Sequence, residues 1–233
     1  MNQLSAFLKK ICAYLLLLFV TVASGCSSNT KPAPTSEAYN EVVSDFYLSL
    51  AAMQADQALF AIEKMQSVAD EYPKEAAAWA NLGLYAMRQA DLELAAQRVD
   101  KALNLAPENS HIQFLAGNIA SRRGNVEQAI DHYRNAVQAD SAYMKALYAL
   151  ANELEREGDA NNNEVYELYE QILEHDSGNL AVLLEMMRVS AKWQDTEALN
   201  ESIKRLSRAL KVGLKKCNNS LLNWKDKSAR GMI

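Results

Sequence analysis

A row of basic residues recurs at nearly constant spacing through the middle of the chain. Amide residues precede two of them by four positions, which places amide and guanidinium groups on one helical face. Such groups can hold a carboxylate, which arginine binds through two parallel hydrogen bonds. The alternative is that a basic side chain near the end of a helix complements the helix dipole. The row consists of Arg88, Arg122, Arg156 and Lys192, with Asn118 and Asn152 as the amides.

The rest of the sequence shows no catalytic constellation. It contains no glycine-rich phosphate loop and no His-Glu-x-x-His zinc motif. His111, His132 and His175 lack the local spacing of metal ligands. The acidic residues from Glu153 to Asp159 are interpreted as a helix end and turn in water. We therefore expect no enzyme activity, no cofactor and no metal.

Composition favours helices over strands. The chain has 233 residues, of which 49% are hydrophobic, with only 8 glycines and 4 prolines. This excludes collagen, a low-complexity disordered chain and a disulfide-dense mini-protein. The formal net charge of −5 argues against a general nucleic-acid binder.

The spacing of the basic row reflects an internal repeat. Three segments align at 34 residues, namely 76–109, 110–143 and 144–179, the last being two residues longer. Within each segment, large and small apolar residues recur so that each of two helices has one apolar face. One such hairpin leaves an apolar face uncovered, so copies must stack on each other.

These residues resemble the tetratricopeptide repeat (TPR). The pattern positions are Trp79, Leu82, Gly83, Ala86, Ala95, Val99, Ala102 and Pro107; then Gln113, Ala116, Gly117, Ala120, Ala129, Tyr133, Ala136 and Ser141; then Leu147, Leu150, Ala151, Leu154, Val165, Tyr169, Ile172 and Ser177. Gln113 weakens the large position, and the two serines replace proline. The insertion within 159–163 falls in the turn between helices.

The resemblance implies an all-α, right-handed superhelical solenoid of about five helix-turn-helix repeats. Weaker copies at 42–75 and 180–211 complete the expected repeat domain, which spans 39–211. The outer copies are degenerate, as terminal units are when one face meets water.

By the same resemblance, the first helix of each repeat lines a concave groove. One interpretation resembles the carboxylate clamp of some TPR domains, which hold the C-terminus of an extended peptide. Another is that apolar residues, including Phe46, Leu50 and Met53, receive an amphipathic helix or apolar peptide, unless a flanking segment covers them. The candidate groove residues are Leu84, Met87, Arg88, Phe114, Asn118, Arg122, Tyr148, Asn152, Arg156 and Lys192.

The first 25 residues have the proportions of a signal peptide. Lys9 and Lys10 precede a 12-residue uncharged stretch, and Cys26 follows small residues. This resembles the bacterial lipoprotein signal, which implies acylation of Cys26, a tether over 26–38 and the outer membrane, since no aspartate follows the cysteine. The alternative is an ordinary cleaved signal with an incidental cysteine.

The C-terminal segment differs from the body in charge. Residues 202–233 contain nine basic residues and one acidic residue, whereas residues 26–201 contain 13 basic and 28 acidic residues. We expect a basic tail or capping helix over 212–233, which either solubilises the end of the solenoid or touches anionic lipid or an acidic partner. Cys217 is either incidental or a site of intermolecular pairing.

Together these features predict a lipid-anchored scaffold or adaptor in the bacterial cell envelope, facing the periplasm. It would bind a protein partner in its groove during assembly of a pilus, secretion or peptidoglycan machine, with no nucleic-acid partner. The alternatives are a periplasmic, chaperone-like holder of exported peptides, or an accessory subunit of an enzyme or sensor complex.

Overall fold

The computed structural model describes residues 37–158 and 161–229, with side chains described as far as residue 215. Signal peptide, Cys26, most of the tether and the Cys217 side chain lie outside the described residues. Within them the chain forms ten α-helices and no strand. The helices are α1 (Glu37–Gln54), α2 (Ala58–Glu71), α3 (Ala76–Arg88), α4 (Leu92–Leu105), α5 (Ser110–Arg122), α6 (Val126–Ala139), α7 (Met144–Glu157), α8 (Asn162–His175), α9 (Leu180–Lys192) and α10 (Thr196–Ala229).

Consecutive helices pair into five antiparallel hairpins that stack side by side. In each hairpin the odd-numbered helix comes first, and each second helix also packs on the first helix of the next hairpin. Helices α3, α5, α7 and α9 begin at the residues where the sequence places the repeat starts. The predicted all-α stack of about five helix-turn-helix units is confirmed.

The last helix is longer than the pattern indicates. The sequence divides repeat and tail after residue 211, but α10 continues without a break to Ala229. The tail therefore begins as a continuation of the last repeat's second helix.

A left-handed residue turns the chain between the two helices of four hairpins. The backbone φ is positive at Asp56, Ala90, Gly124 and Gln194. The amide N–H of the residue that follows donates to a carbonyl five residues back, for example Asp91 to Ala86 at 3.0 Å. This bond satisfies a free carbonyl at the helix end. The fourth hairpin, which carries the insertion, turns at Gly158 instead.

Small residues let the paired helices approach closely. A Cβ added at Gly83 would lie 2.5 Å from Val99 Cγ2, and one at Gly117 would lie 2.5 Å from Tyr133 Cε1. The helical positions of the repeat pattern in the three central segments, from Trp79 to Ile172, are all buried.

Gln113 occupies the position where the repeat pattern has a large residue. Its side chain makes the same hydrogen bond that Trp79 makes in the preceding repeat. In the preceding repeat, Trp79 Nε1 donates to the Pro73 carbonyl at 2.8 Å. Gln113 Nε2 makes the equivalent bond to the Pro107 carbonyl at 2.7 Å. The amide thus replaces the indole N–H as the donor that ties a first helix to the turn before it.

We expect Gly117→Ala to destabilise the chain by about 1–3 kcal/mol, because the new methyl group overlaps the Tyr133 ring. Urea unfolding measures the change. Gly213→Ala is the matched control, since a Cβ there meets nothing within 4 Å. Its free energy of unfolding is expected to rise by up to about 1 kcal/mol, because alanine has a higher helix propensity than glycine. Equal effects of the two substitutions would show that close approach does not govern Gly117.

Candidate functional site

The first helices of the second and third hairpins enclose the larger of two hollows on the surface they share. This hollow has a volume of about 710 Å³. Leu84 and Met87 of α3 form one side, and Phe114 and Asn118 of α5 form the other. The start of α7 contributes Lys145. The sequence therefore identifies four residues that the fold brings together here.

A second hollow, of about 470 Å³, continues along the same surface toward the C-terminal repeats. Tyr148 and Asn152 of α7 line it, together with Val182 of α9. Phe114 and Lys145 line both hollows. We call the two hollows together the groove.

An aromatic cluster stands between the hollows. The Phe114 ring lies 5.2 Å from the Tyr143 ring and 5.8 Å from the Tyr133 ring, measured between centroids. His111 stacks on Tyr143 at 4.7 Å. Sequence reasoning did not identify Tyr143, because it lies in the turn between repeats, outside the positions assigned to the groove. Its signal is an aromatic residue immediately before a first helix.

The groove is largely uncharged. Glu75 and Lys145 are the charged side chains among those lining the two hollows. The polar lining consists mainly of asparagines. Asn118 Oδ1 accepts a hydrogen bond from the Tyr133 hydroxyl at 2.9 Å, which fixes that amide at the wall of the larger hollow.

Apolar residues at the N-terminal end lie outside the groove, and Phe46 lines a separate hollow of about 250 Å³. Phe46, Leu50 and Met53 lie on α1 and pack against the buried residues of the first three hairpins. Met53 is buried and the other two are half-buried.

The basic row lies outside the groove. Arg88, Arg122, Arg156 and Lys192 line neither hollow. Three of them instead bond to the preceding first helix. Arg122 Nη1 donates to the Met87 carbonyl at 3.3 Å, at the end of α3. The bond goes to the end of the neighbouring helix, whose free carbonyls form the negative end of that helix dipole.

Arg156 forms the next link of the row. Its Nη1 donates to Ser121 Oγ of α5 at 3.2 Å and to Glu153 Oε2 at 2.7 Å. The Ser121 hydroxyl also donates to Glu153. The Glu153 side chain is only 6% exposed, so these bonds are its main compensation for burial.

Lys192 repeats the arrangement at the last hairpin. Its Nζ lies 3.0 Å from Glu155 Oε1 of α7. Arg188 Nη1 donates to the same oxygen at 2.9 Å, and Arg188 Nε donates to Glu185 at 2.6 Å. The carboxylate of Glu155 thus joins α7 to α9.

The sequence interpretation of Glu153 and Glu155 as solvated residues is wrong. Their side chains are 6% and 12% exposed. Arg156, one turn further along the same helix, covers Glu153, and Arg188 and Lys192 of the next hairpin cover Glu155. Hydrogen bonds from Arg188, and next from Lys192, lower the pKa of Glu155 to about 2, although burial opposes the shift. Because the pKa of Glu155 is lower in the folded chain, its carboxylate stabilises the fold fully above about pH 4.5, and this stabilisation is lost as the pH falls toward 2.

No group of three or more His, Cys, Asp or Glu side chains that could hold a metal ion occurs in the described part of the chain. His132 Nδ1 is hydrogen-bonded to Gln113 Oε1 at 2.9 Å. Burial lowers the pKa of His132, and neighbouring Asp100 and Asp131 oppose the shift.

Comparison with known proteins identifies the fold. No protein-family profile and no curated protein matches the sequence. The chain is similar to the solved structure of MamA, with 16% identity, a TM-score of 0.61, and coverage of 76% of this chain and 94% of that one. It is similar to YrrB, described as a TPR protein with an unusual peptide-binding site, with 16% identity, a TM-score of 0.60, and coverage of 74% and 89%.

Pseudomonas aeruginosa pilF is a third similar structure. The identity is 17% and the TM-score 0.63, and the match covers 82% of this chain and 92% of that one. Identities this low establish the fold alone. They confirm the tetratricopeptide solenoid that the repeat pattern predicts.

We expect Arg156→Ala to destabilise the chain by about 1–3 kcal/mol in urea unfolding at pH 7, because it leaves the buried Glu153 carboxylate with fewer donors. Arg88→Ala is the matched control. Arg88 occupies the equivalent position, is exposed, and has no hydrogen bond or ion pair within the described residues. Its removal is expected to change stability by less than about 0.5 kcal/mol. An Arg156 variant as stable as the control would refute the structural role of this link.

Proposed function

We propose that this tetratricopeptide solenoid is a lipid-anchored scaffold or adaptor. It holds a segment of a protein partner in the groove during assembly of a cell-envelope complex, such as a pilus, secretion or peptidoglycan machine. The observation that carries the proposal is the pair of adjoining hollows that share Phe114 and Lys145 as walls.

The dimensions of the groove suit a peptide. Each hollow falls within the roughly 300–1,000 Å³ range of ligand pockets. Because the hollows adjoin along successive first helices, a single segment can place apolar side chains in both. The Asn152 amide, which has no hydrogen bond within the described residues, and the Lys145 ammonium can bond to backbone carbonyls of that segment.

The lining favours an apolar segment over a free C-terminus. Arg156 and Lys192 are held by Glu153 and Glu155, and Arg122 by a helix-end carbonyl. A peptide carboxylate would have to displace these bonds. We therefore assign recognition to the apolar walls, and the ligand to an amphipathic helix or extended apolar segment within the partner.

The envelope assignment rests on the N-terminal sequence. Lys9 and Lys10, the uncharged stretch and Cys26 follow the order of a lipoprotein signal, and two or three acyl chains give stable anchoring. Ser27 and Ser28 favour the outer membrane. Ten residues separate Cys26 from the first helix, which gives a reach of at most about 40 Å. Such a tether lets the groove stand away from the bilayer.

The scarcity of charge in the groove also supports a second candidate, a holder of many exported apolar peptides. The same experiment separates the two functions. A scaffold yields one or a few stoichiometric partners, whereas a chaperone-like holder yields many.

Site-specific photocrosslinking in membranes tests the groove. A photoreactive residue replaces Leu84 or Asn152 in the groove, and Gln97 or Glu167 on exposed second-helix surfaces as matched controls. We expect discrete adducts from the groove positions alone, because a bound segment lies within reach of them. Mass spectrometry of the adducts identifies the partner.

Identical adducts from groove and control positions would contradict the assignment of this surface. So would the absence of adducts at both groove positions in cells where the protein is anchored and folded. Many different adducts at the groove positions would favour the chaperone-like holder.

A further inference from the structure

The topology of the hairpins places two ends of the chain at one edge of the solenoid. Each first helix starts where its second helix ends, because the pair is antiparallel. The start of α1 at Glu37 and the C-terminal half of α10 therefore lie at the same edge of the stack. The segment that precedes Glu37 leads back to the predicted lipid anchor at Cys26.

Helix α10 extends beyond its hairpin at this edge. Its partner α9 has 13 residues, whereas α10 has 34. Among the residues whose side chains the structure describes, Ala209 is the last half-buried one, and residues 210–215 are all exposed. The helix continues for another 20 residues past Ala209, or roughly 30 Å.

The described surface of α10 carries an apolar stripe that runs from its packed half into the extension. Ile203, Leu210 and Leu214 are 41%, 45% and 71% exposed. At 3.6 residues per turn they fall within about 40° of each other around the helix.

A basic stripe lies beside the apolar one. Lys204, Lys211 and Lys215 each follow a member of the apolar stripe by one residue, and all three are exposed. Lys204 makes only a loose ion pair with Glu201, at 3.7 Å. Adjacent apolar and basic stripes are the pattern of a helix that lies in a membrane interface.

The charge of α10 indicates which kind of surface it binds. Nine basic residues and one acidic residue occur in 202–233, whereas residues 26–201 have a large acidic excess. An anionic bilayer attracts the helix while it repels the body of the solenoid. A second copy of the chain would bring two strongly basic helices together, and an acidic protein would leave the apolar stripe unexplained.

We propose that α10 lies on the surface of an anionic phospholipid bilayer and forms a second membrane contact beside the N-terminal anchor. The helix rests on the bilayer and does not cross it. In the described part of the chain, no helix has the length and apolarity that a membrane span needs. The flat-lying helix and the N-terminal anchor then hold the solenoid against the bilayer through two contacts instead of one.

Vesicle sedimentation tests this contact without the acyl chains. The chain from Ser27 onward, which contains every described residue, is mixed with phosphatidylethanolamine–phosphatidylglycerol vesicles or with phosphatidylcholine vesicles. We expect binding to the anionic vesicles alone, decreasing as NaCl rises from about 50 to about 500 mM. Lys211→Glu with Lys215→Glu is expected to weaken binding by about tenfold or more.

The matched control is Arg88→Glu with Gln97→Glu and Gln138→Glu, which changes the net charge equally at exposed positions away from α10 and is expected to keep full binding. Leu210→Ser with Leu214→Ser should also weaken binding, since it removes the apolar stripe. The proposal is overturned if the unaltered chain does not bind anionic vesicles or binds both vesicle types equally. It is also overturned if Lys211→Glu with Lys215→Glu leaves binding unchanged. None of these outcomes depends on the groove or on acylation.

Discussion

Close contact between the two helices of a hairpin is the constraint on which the rest of the structure depends. At Gly117 there is no room for a Cβ, because the Tyr133 ring fills the space. The same tyrosine donates from its hydroxyl to Asn118 and packs its ring near Phe114, so the close approach also sets the wall of the groove. A larger residue at Gly117 would therefore disturb packing and groove together. One contact thus governs both the packing of this hairpin and the shape of the groove wall.

The basic row shows how a repeat can imitate a binding site. Residues of one chemical type recur at 34-residue spacing whenever a repeat position has a structural task, and that spacing alone does not distinguish a ligand site from a link between repeats. Arg156 and Lys192 are links between repeats. Arg156 bonds to Ser121 of the preceding first helix as well as to the shielded Glu153 carboxylate, and Lys192 pairs with the Glu155 carboxylate of the preceding first helix. The groove is left with apolar walls and amides, a lining that suits the length of a peptide rather than its charged end.

The sequence predicted the hairpins well because burial periodicity and small residues are local signals. The helical pattern positions from Trp79 to Ile172 are buried, and the first helices begin where the repeats begin. It failed for Glu155, whose partners Arg188 and Lys192 lie on the next hairpin. It also failed for Glu153, because Ser121 of the preceding hairpin covers it together with Arg156 of the same helix. It also missed Tyr143, since a turn residue has no assigned face. Contacts between repeats depend on how far successive hairpins rotate, and no short-range pattern encodes that rotation. The continuous length of α10 was missed because the repeat pattern ends near residue 211, and the end of a repeat pattern does not break a helix.

The central claim is that the groove recognises apolar side chains and needs no terminal carboxylate. The most direct test is calorimetric titration of the partner segment captured in the groove, prepared once with a free C-terminus and once amidated. We expect affinities equal within about twofold, since Arg122, Arg156 and Lys192 are already bonded within the chain. A loss of about tenfold or more on amidation, equivalent to about 1.4 kcal/mol, would contradict it and return the basic row to the role of a carboxylate clamp.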